Sequence, residues 1–331
     1  MNKLDRVKGC FLAGAIGDAL GYAIEFDNEE YIFKTYGKNG IKEYERFHGL
    51  AHISDDTQMS LFTAQGLLMG GLTNEEHVEN IRRCYDDWLH TQLPNKHKKT
   101  VGYCKLYDIK ELHSSRAPGS TCLNALIEGG HGTIEHPINQ SKGCGGIMRV
   151  APIALYIEDI KDADLLAAKV SAITHGHELG YMSSSMLVHI IHRLLSDYEL
   201  EEAIEDSMTA MKDMFKNTAF LQDMLDLVSK AILLSKEDRD DLEVIHELGE
   251  GWVAEETLAI AIYCSLKYKN DLIKAITVAV NHKGDSDSTG AVTGNIIGTY
   301  LGYESIPEKY LRDLELKDLI IEISQKLRKD A

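Results

Sequence analysis

The chain has 331 residues, of which 44% are hydrophobic and 26% are charged, a composition typical of a folded protein with a substantial core. Its 35 basic and 52 acidic residues give a formal net charge of −17, which argues against a nucleic-acid partner. An anionic ligand would therefore need a local device, such as metal ions, a helix N-terminus or a few selected basic side chains.

Six cysteines are spread along the chain without a Cys-x-x-Cys pair, which favours free thiols in a reducing compartment. Asp18 interrupts the small-residue run near the N-terminus, and no charge-free stretch approaches the ~18 apolar residues of a membrane span. We therefore expect a cytoplasmic, monomeric protein without a membrane partner.

The first predicted helix runs from Asp5 to about Ile24 and carries four glycines. Each interior glycine costs roughly 1 kcal/mol against alanine, so these four favour close backbone packing or an approach to a ligand. Asp18 lies within this helix and Glu25 follows it. Taken alone, a helix cap and a surface charge explain these two acids as well as a functional role does. The mixed composition of residues 31–52 predicts a loop, with room for a short strand.

Ser54-Asp55-Asp56-Thr57 precedes an apolar helical run. Ser54 or Asp55 would be a good N-cap, and the acids would then simply complement the helix dipole. Alternatively, the same side chains supply hard oxygen donors for a divalent cation.

Thr73-Asn74-Glu75-Glu76 forms a capping box that opens the next helix, which is predicted to run to about His90. Residues 92–108 are predicted to form a loop.

A turn at residues 116–120 leads into a helix that ends near Glu128, and a glycine-dense loop follows at residues 139–146. Such a loop before an apolar helix can present free backbone N–H groups to a phosphate, although this one matches neither the Walker nor the dinucleotide fingerprint. His175 and His177 are a poor zinc pattern, which favours a structural or substrate-contact role.

Trp252 stands at the entry of a helix that runs to about Tyr268, and a core position is favoured over a ligand-stacking one. About a dozen helices and no persuasive alternating pattern predict one all-α domain over residues 1–331. The other predicted helices of this half cover residues 163–173, 179–195, 199–214, 221–234, 271–280 and 306–327.

The stretch Asn281–Gly290, NHKGDSDSTG, follows an apolar helical run and opens into a run of small residues. Its acids, Asp285 and Asp287, are separated by a serine, and Asp and Ser favour caps and turns over helix interiors. They suit an oxygen-rich cage for a hard cation at the start of a helix. We interpret this cluster and the one at residues 54–57 as two halves of one metal site.

Five motifs follow one another along the chain, within residues 9–302: GDALG at 17–21, SDDT at 54–57, GCGGIMR at 143–149, TH at 174–175 and GDSDST at 284–289. In this order they resemble the ADP-ribosylglycohydrolase family, which includes the dinitrogenase reductase-activating glycohydrolases. Residues 196–250 carry no motif of this kind.

The resemblance implies an orthogonal all-α fold around a binuclear site for two Mg²⁺ ions, which Mn²⁺ could replace. Asp55, Asp56 and Glu25 would be the catalytic acids. The metal ligands would be Ser54, Asp55, Asp56, Asp285, Asp287 and Ser288. Substrate contacts would come from Ser120, Ser141, Gly143, Cys144, Gly145, Gly146, Met148, Arg149 and His175.

The implied reaction is hydrolysis of the N-glycosidic bond between ADP-ribose and a modified side chain of a protein, or of a small ADP-ribosyl substrate. The SDDT form of the first cluster, RAPG at residues 116–119 and GCG at 143–145 are typical of the arginine-linked branch. Three departures from the family pattern leave the adenine contact and the leaving group open. The first is His175-Gly176-His177-Glu178, where arginine-type members have three histidines and a proline. The others are Lys283, where a glycine usually precedes the last motif, and Lys142, where serine-type relatives carry an adenine-stacking aromatic.

Three alternatives remain at this stage. A non-catalytic ADP-ribose binder or crystallin-like structural relative would not need all six oxygen ligands, which are present here. A hydrolase of serine- or phosphate-linked ADP-ribose would use the same cavity with another leaving group. A magnesium-dependent phosphoesterase would release different products.

Overall fold

The computed structural model of the protein describes residues 1–93 and 101–328. Within these ranges the chain forms sixteen α-helices and four short 3-10 helices, and its β structure is limited to three isolated bridges. The all-α prediction is therefore confirmed. The α-helices are α1 (Lys3–Tyr22), α2 (Glu29–Tyr36), α3 (Asp55–Leu68), α4 (Asn74–Gln92), α5 (Ser120–Ile127), α6 (Ala151–Tyr156), α7 (Ile160–Ala172), α8 (Glu178–Leu195), α9 (Leu200–Met214), α10 (Leu221–Leu234), α11 (Asp241–Leu248), α12 (Ala254–Lys267), α13 (Leu272–Val280), α14 (Ser286–Leu301), α15 (Glu308–Arg312) and α16 (Lys317–Leu327).

The N-terminal helix α1 and the late helix α14 pack backbone against backbone. A Cβ atom on Gly17 would lie 2.0 Å from the carbonyl oxygen of Gly290, and one on Gly294 would lie 2.1 Å from the carbonyl oxygen of Ala13. Real side chains do not tolerate such distances, so glycine is required at these crossings. The glycines of α1 thus serve close packing, which places the start of α14 beside the C-terminal half of α1.

Asp18, on the buried face of α1, fixes the start of α3. Its carboxylate accepts hydrogen bonds from the backbone N–H groups of Ser54 at 2.9 Å and Thr57 at 3.1 Å, and from the Thr57 hydroxyl. These bonds satisfy N–H groups that a helix start leaves without intrahelical partners. Asp18 is fully buried, so it is a cap for another helix and not a surface charge.

The loop predicted for residues 31–52 is wrong in its first part, because α2 occupies Glu29–Tyr36. The Asn28 side chain caps this helix by accepting from the N–H of Tyr31 at 2.9 Å, and Gly37 ends it with φ of 82°. Both signals are present in the sequence, but a helix of eight residues is too short for its apolar periodicity to be distinctive. Beyond α2, the segment forms only an isolated bridge between Phe47 and Leu50 and another from Ala51 to Leu314.

The single helix predicted over residues 306–327 is interrupted between α15 and α16. At this break, the N–H of Ala51 donates to the carbonyl of Asp313 at 2.8 Å, and the carbonyl of Ala51 accepts from the N–H of Glu315 at 3.0 Å. Leu316 then adopts a left-handed conformation with φ of 57°. The sequence predictions also omit α11, and residues 94–100 of the predicted loop over 92–108 lie outside the described residues.

Within the described residues, no helix has the length and apolar character that crossing a membrane requires.

Candidate functional site

The two acidic clusters meet at one cavity of about 360 Å³, which opens between the starts of α3, α5 and α14. Asp55 and Asp56 lie in the first turn of α3, while Asp287 and Ser288 lie in the first turn of α14. Both helices therefore direct their positive dipole ends toward the acids, which stabilises negative charge there. The sequence-predicted residues that line the cavity are Glu25, Asp55, Asp56, Ser120, Gly143, Cys144, Gly145, Met148, His175, Asp285, Asp287 and Ser288.

Direct side-chain contacts join the two clusters and the glycine loop. The Ser288 hydroxyl donates to Oδ2 of Asp56 at 2.9 Å, and the Cys144 thiol donates to Oδ2 of Asp285 at 2.6 Å. Asp55 accepts from the backbone N–H of Gly119 at 3.3 Å. Two segments that are far apart in sequence thus present their oxygen atoms to one volume, which the glycine loop borders with the Cys144 thiol.

Like charges crowd this volume. Removal from water, followed by repulsion from Asp287 and Asp285, raises the pKa of Glu25 to about 10. Burial, then repulsion from Asp18, raises the pKa of Asp287 to about 7. Burial also raises the pKa values of Asp55, Asp56 and Asp285 well above the ordinary range of a carboxyl.

None of these five acids forms an ion pair with a Lys, Arg or His within residues 1–93 and 101–328, although Coulomb repulsion in a dry cavity is strong. Oε2 of Glu25 is also buried without a hydrogen-bond partner. A bound cation would relieve both conditions, since it supplies the missing positive charge and accepts oxygen lone pairs. The donor set, which consists of carboxylate and hydroxyl oxygens, is of the type that Mg²⁺ and Mn²⁺ prefer.

In the described part of the chain, however, no group of three or more His, Cys, Asp or Glu side chains is gathered tightly enough to hold a metal ion. The carboxylates instead surround the cavity from several sides. The binuclear metal site therefore stays a prediction, which rests on the chemistry of the donors.

Ser54 has a different local role from the other predicted ligands. Its hydroxyl caps α3 by accepting from the N–H of Asp56 at 3.1 Å, and its own N–H is bound by Asp18. Ser54 is fully buried and does not line the cavity. Its assignment as a metal ligand stays a prediction, and the geometry gives it the task of orienting the first turn of α3.

Arg149 lies behind the cavity wall. Its guanidinium donates to the hydroxyl of Thr174 at 2.6 Å and to the carbonyl of Val170 at 3.2 Å, and it lies over the Tyr85 ring at 4.5 Å. The guanidinium of Arg149 thus contributes to internal packing.

His175 does line the cavity, and its Nδ1 is hydrogen-bonded to the Thr174 hydroxyl. Burial, together with the neighbouring Arg149, lowers the pKa of His175 to about 3.

The glycine loop is held by the segment before α12. The N–H of Cys144 donates to the carbonyl of Trp252 at 3.2 Å, and the N–H of Ala254 donates to the carbonyl of Lys142 at 2.8 Å. The N–H of Gly143 is bonded to the Ser141 hydroxyl at 3.3 Å. The N–H of Ser141 also donates, to the side chain of Asn139 at 3.0 Å. Because three amides of residues 141–146 are already engaged, fewer free N–H groups are left to bind a phosphate than the sequence predicts.

Two other predicted members of this loop lie away from the cavity lining. Ser141 turns its hydroxyl toward the loop itself and toward Thr121, 3.3 Å away. Gly146 packs so closely on Ser171 that a Cβ atom on Gly146 would lie 2.2 Å from the Oγ of Ser171.

Burial and the neighbouring Asp285 raise the pKa of the Cys144 thiol well above its usual value. The thiol therefore stays protonated and is unsuited to be a nucleophile.

The structure adds two aromatic residues that sequence reasoning missed at this site. Phe26 and Trp252 both line the cavity, with 75% and 41% of their surface exposed. The interpretation of Trp252 as a core residue is therefore wrong. Glu178 lies outside the lining, and its carboxylate accepts from the N–H of Phe220 at 3.0 Å.

The whole chain, residues 1–331, matches the family model described as ADP-ribosylglycohydrolase. It is 27% identical over 197 residues to the ADP-ribosylhydrolase ARH3 of Bos taurus, covering 53% of this chain and 54% of that protein, so the chain spans about half of that relative's length. It is 25% identical over 323 residues to the ADP-ribosyl-[dinitrogen reductase] glycohydrolase of Rhodospirillum rubrum, covering 95% of this chain and 91% of the relative. A solved chain of an "ADP-ribosylglycohydrolase-related protein complex" has the same fold, with a TM-score of 0.66, 23% identity and coverage of 99% of this chain and 98% of the other.

Proposed function

Because the chain belongs to the ADP-ribosylglycohydrolase family, we propose that it is a magnesium-dependent hydrolase that releases ADP-ribose from modified arginine side chains. The observation that carries the proposal is the meeting of the two acidic clusters in one cavity, where Ser288 bonds to Asp56. A cavity of about 360 Å³ is within the usual size range of small-molecule sites.

Six oxygen-bearing residues are the proposed holders of two Mg²⁺ ions, with water and sugar hydroxyls completing the coordination. When bound, such ions supply Lewis-acid assistance and a fixed position for the ribose hydroxyls. The proposed holders are Ser54, Asp55, Asp56, Asp285, Asp287 and Ser288, and all of them except Ser54 line the cavity.

The acids of α3 have a second proposed task. A carboxylate of Asp55 or Asp56 would orient a water molecule toward the anomeric carbon and accept its proton. The first turn of α3 suits this task because Asp18 and Ser54 hold it rigidly from behind. Hydrolysis at an anomeric centre proceeds with oxocarbenium character, which nearby carboxylates stabilise.

The arginine linkage is the finer part of the proposal. Arginine leaves as a guanidine that is protonated in water, so the site must accept a planar cation. The acidic cavity favours such a group, and Glu25 is suited to form charge-assisted hydrogen bonds with it. Serine leaves as an oxygen that needs a proton or a metal ion instead, which is a different demand on the same cavity.

The test compares matched peptides that carry ADP-ribose on arginine, serine or phosphate, each incubated with the protein and Mg²⁺. We expect free ADP-ribose as the product and the highest kcat/KM for the arginine linkage. A tenfold preference for serine, about 1.4 kcal/mol in transition-state stabilisation, would overturn the linkage while keeping the hydrolase. Cleavage of the pyrophosphate would overturn the reaction type.

A further inference from the structure

A second cavity, of about 400 Å³, lies between the loop after α2, the start of α11 and the outer face of α13. We call it the α13 cavity. Its lining shares no residue with that of the candidate active site, and nothing in the proposed reaction uses it. Its size is within the range of small-molecule sites.

Three lysines line the α13 cavity, namely Lys38 and Lys42 from the loop and Lys274 from α13. Within the described part of the chain, none of them forms an ion pair with a carboxylate, whereas neighbouring lysines do. Lys267 pairs with Asp241, and Lys309 pairs with Glu43. Lys274 lies over the Tyr268 ring, with its ammonium 5.0 Å from the ring centre. In a chain with 52 acidic residues, three lysines without a carboxylate partner at one cavity favour the binding of an anion there.

Two aspartates also lie on the cavity wall, and the hydrogen bonds and ion pairs that the structure records for them go to groups other than these three lysines. Asp240 caps α11, and its Oδ1 accepts from two N–H groups of the first turn at 3.0 and 3.2 Å. Asp241 accepts from the hydroxyls of Tyr263 at 2.7 Å and Tyr268 at 2.6 Å, and it pairs with Lys267 at 3.0 Å. The lysines of the lining outnumber its aspartates by three to two, and one of these aspartates is paired with a fourth lysine.

Four apolar side chains also line the cavity, together with the polar residues Asn39, Thr277 and Asn281. The apolar ones are Phe33 from α2, Leu242 and Ile245 from α11, and Val278 from α13. A cavity lined by lysines and by aromatic and aliphatic carbon complements a ligand with an anionic group and an apolar body.

Asn281 connects two segments that line this cavity by hydrogen bonds. Its side chain accepts from the N–H of Ile41 at 2.7 Å and donates to the carbonyl of the same residue at 2.9 Å. A third bond, to the carbonyl of Thr277 at 2.6 Å, ties the amide to α13. The loop that carries Lys38 and Lys42 is therefore fixed against the end of α13, which limits the ordering cost of binding.

We propose that the α13 cavity is a binding site for a small organic phosphate of mononucleotide size, with the phosphate at the lysines and the planar body against the Phe33 ring. This site is separate from the proposed hydrolase site. Phosphate is the favoured anion because it can accept hydrogen bonds from several ammonium groups at once.

The test uses AMP as the probe, in equilibrium dialysis with the full chain and Mg²⁺. The variant K38Q/K42Q/K274Q removes the positive charge, and K161Q/K212Q/K216Q removes the same charge from exposed lysines that do not line the cavity. We expect the first variant to lose one AMP site, or to bind it at least about tenfold more weakly, while the control binds as the wild type does. Equal stoichiometry and affinity in both variants would overturn the proposal.

Two further measurements separate the parts of the argument. Adenosine and inorganic phosphate should each compete for this site more weakly than AMP, and adenosine that competes as well as AMP would refute the phosphate contact. The lysine variant should keep the wild-type kcat/KM for hydrolysis, because its substitutions lie outside the hydrolase cavity. An inactive wild type that still shows the lysine-dependent site would refute only the proposed hydrolase function.

Discussion

The hydroxyl of Ser288 donates a hydrogen bond to Oδ2 of Asp56 at 2.9 Å, across 232 positions of sequence. Both residues are buried, and each lies in the first turn of its own helix. Two helix N-termini are thereby set face to face with their acids between them. This arrangement concentrates negative charge where both dipoles stabilise it, and the predictions about activity depend on it.

Replacing Asp55, Asp56 or Asp287 with Asn should nearly abolish turnover, because each change replaces a carboxylate of the cavity with a neutral amide. We expect kcat/KM to fall by about a hundredfold or more, or about 3 kcal/mol at the barrier. The measurement is release of ADP-ribose from a modified peptide. Asp223→Asn, at an exposed position of α10, is the matched control, and full activity in any two of the three site variants would contradict the assignment.

Activity should require Mg²⁺ or Mn²⁺ and disappear with a chelator, because every proposed ligand is a hard oxygen donor. Mg²⁺ should also raise Tm, with a stabilisation that grows as RT ln(1 + [Mg²⁺]/Kd). Differential scanning calorimetry measures this directly. The Asp287→Asn variant should lose most of the shift, and an unchanged wild-type Tm over a wide range of Mg²⁺ would count against a metal site.

Without metal, ionisation of Asp287 should destabilise the protein. Its pKa rises from 3.8 to about 7 on folding, so between these values the unfolded state has lost its proton while the folded state keeps it. The free energy of unfolding should therefore fall as the pH rises through this window, and stay low above it. At pH 8 and with a chelator present, Asp287→Asn should unfold at a higher urea concentration than the wild type. Its free energy of unfolding should be larger by about 1 kcal/mol or more. A wild type that is the more stable of the two at pH 8 would contradict the repulsion.

Asp18→Ala should destabilise the protein, because it leaves the buried N–H groups of Ser54 and Thr57 without their acceptor. Each orphaned group costs about 1–3 kcal/mol, so urea denaturation should show a loss of about 2–4 kcal/mol. Asp18→Asn retains one carbonyl acceptor and should lose less. If Asp18→Ala were as stable as the wild type, the start of α3 would have to be held by other contacts.

Gly17→Ala should also be destabilising, because its Cβ atom would lie 2.0 Å from the carbonyl oxygen of Gly290. Separating α1 and α14 by even a few tenths of an ångström disturbs the helix starts that form the cavity, and overpacking costs about 1–3 kcal/mol. Gly119→Ala is the control for stability, since no atom lies within 4 Å of its added carbon and its φ is −58°. Equal unfolding midpoints for the two variants would refute the close crossing.

The sequence by itself determined the helical class and the residues of the cavity to a large extent. Helix periodicity and caps such as Ser54 and Thr73 are local properties of the chain, so they can be recognised without knowing its neighbours. The acids of residues 54–57 and 284–289 were recognisable because their composition is unfavourable inside a helix. Their order along the chain, with the other motifs, indicated the family.

The tertiary structure decided what depends on contacts between distant segments. Asp18 is a cap for α3 because α1 packs beside it, and Trp252 lines the cavity beside the glycine loop, to which its backbone is bonded. Arg149 lies behind the wall because Thr174 and Tyr85 surround it, and Ala51 forms hydrogen bonds at the break in the last predicted helix. A residue's type fixes which bonds it can form, but the fold selects the partner, since burial and distance are set by elements that are separate in the sequence.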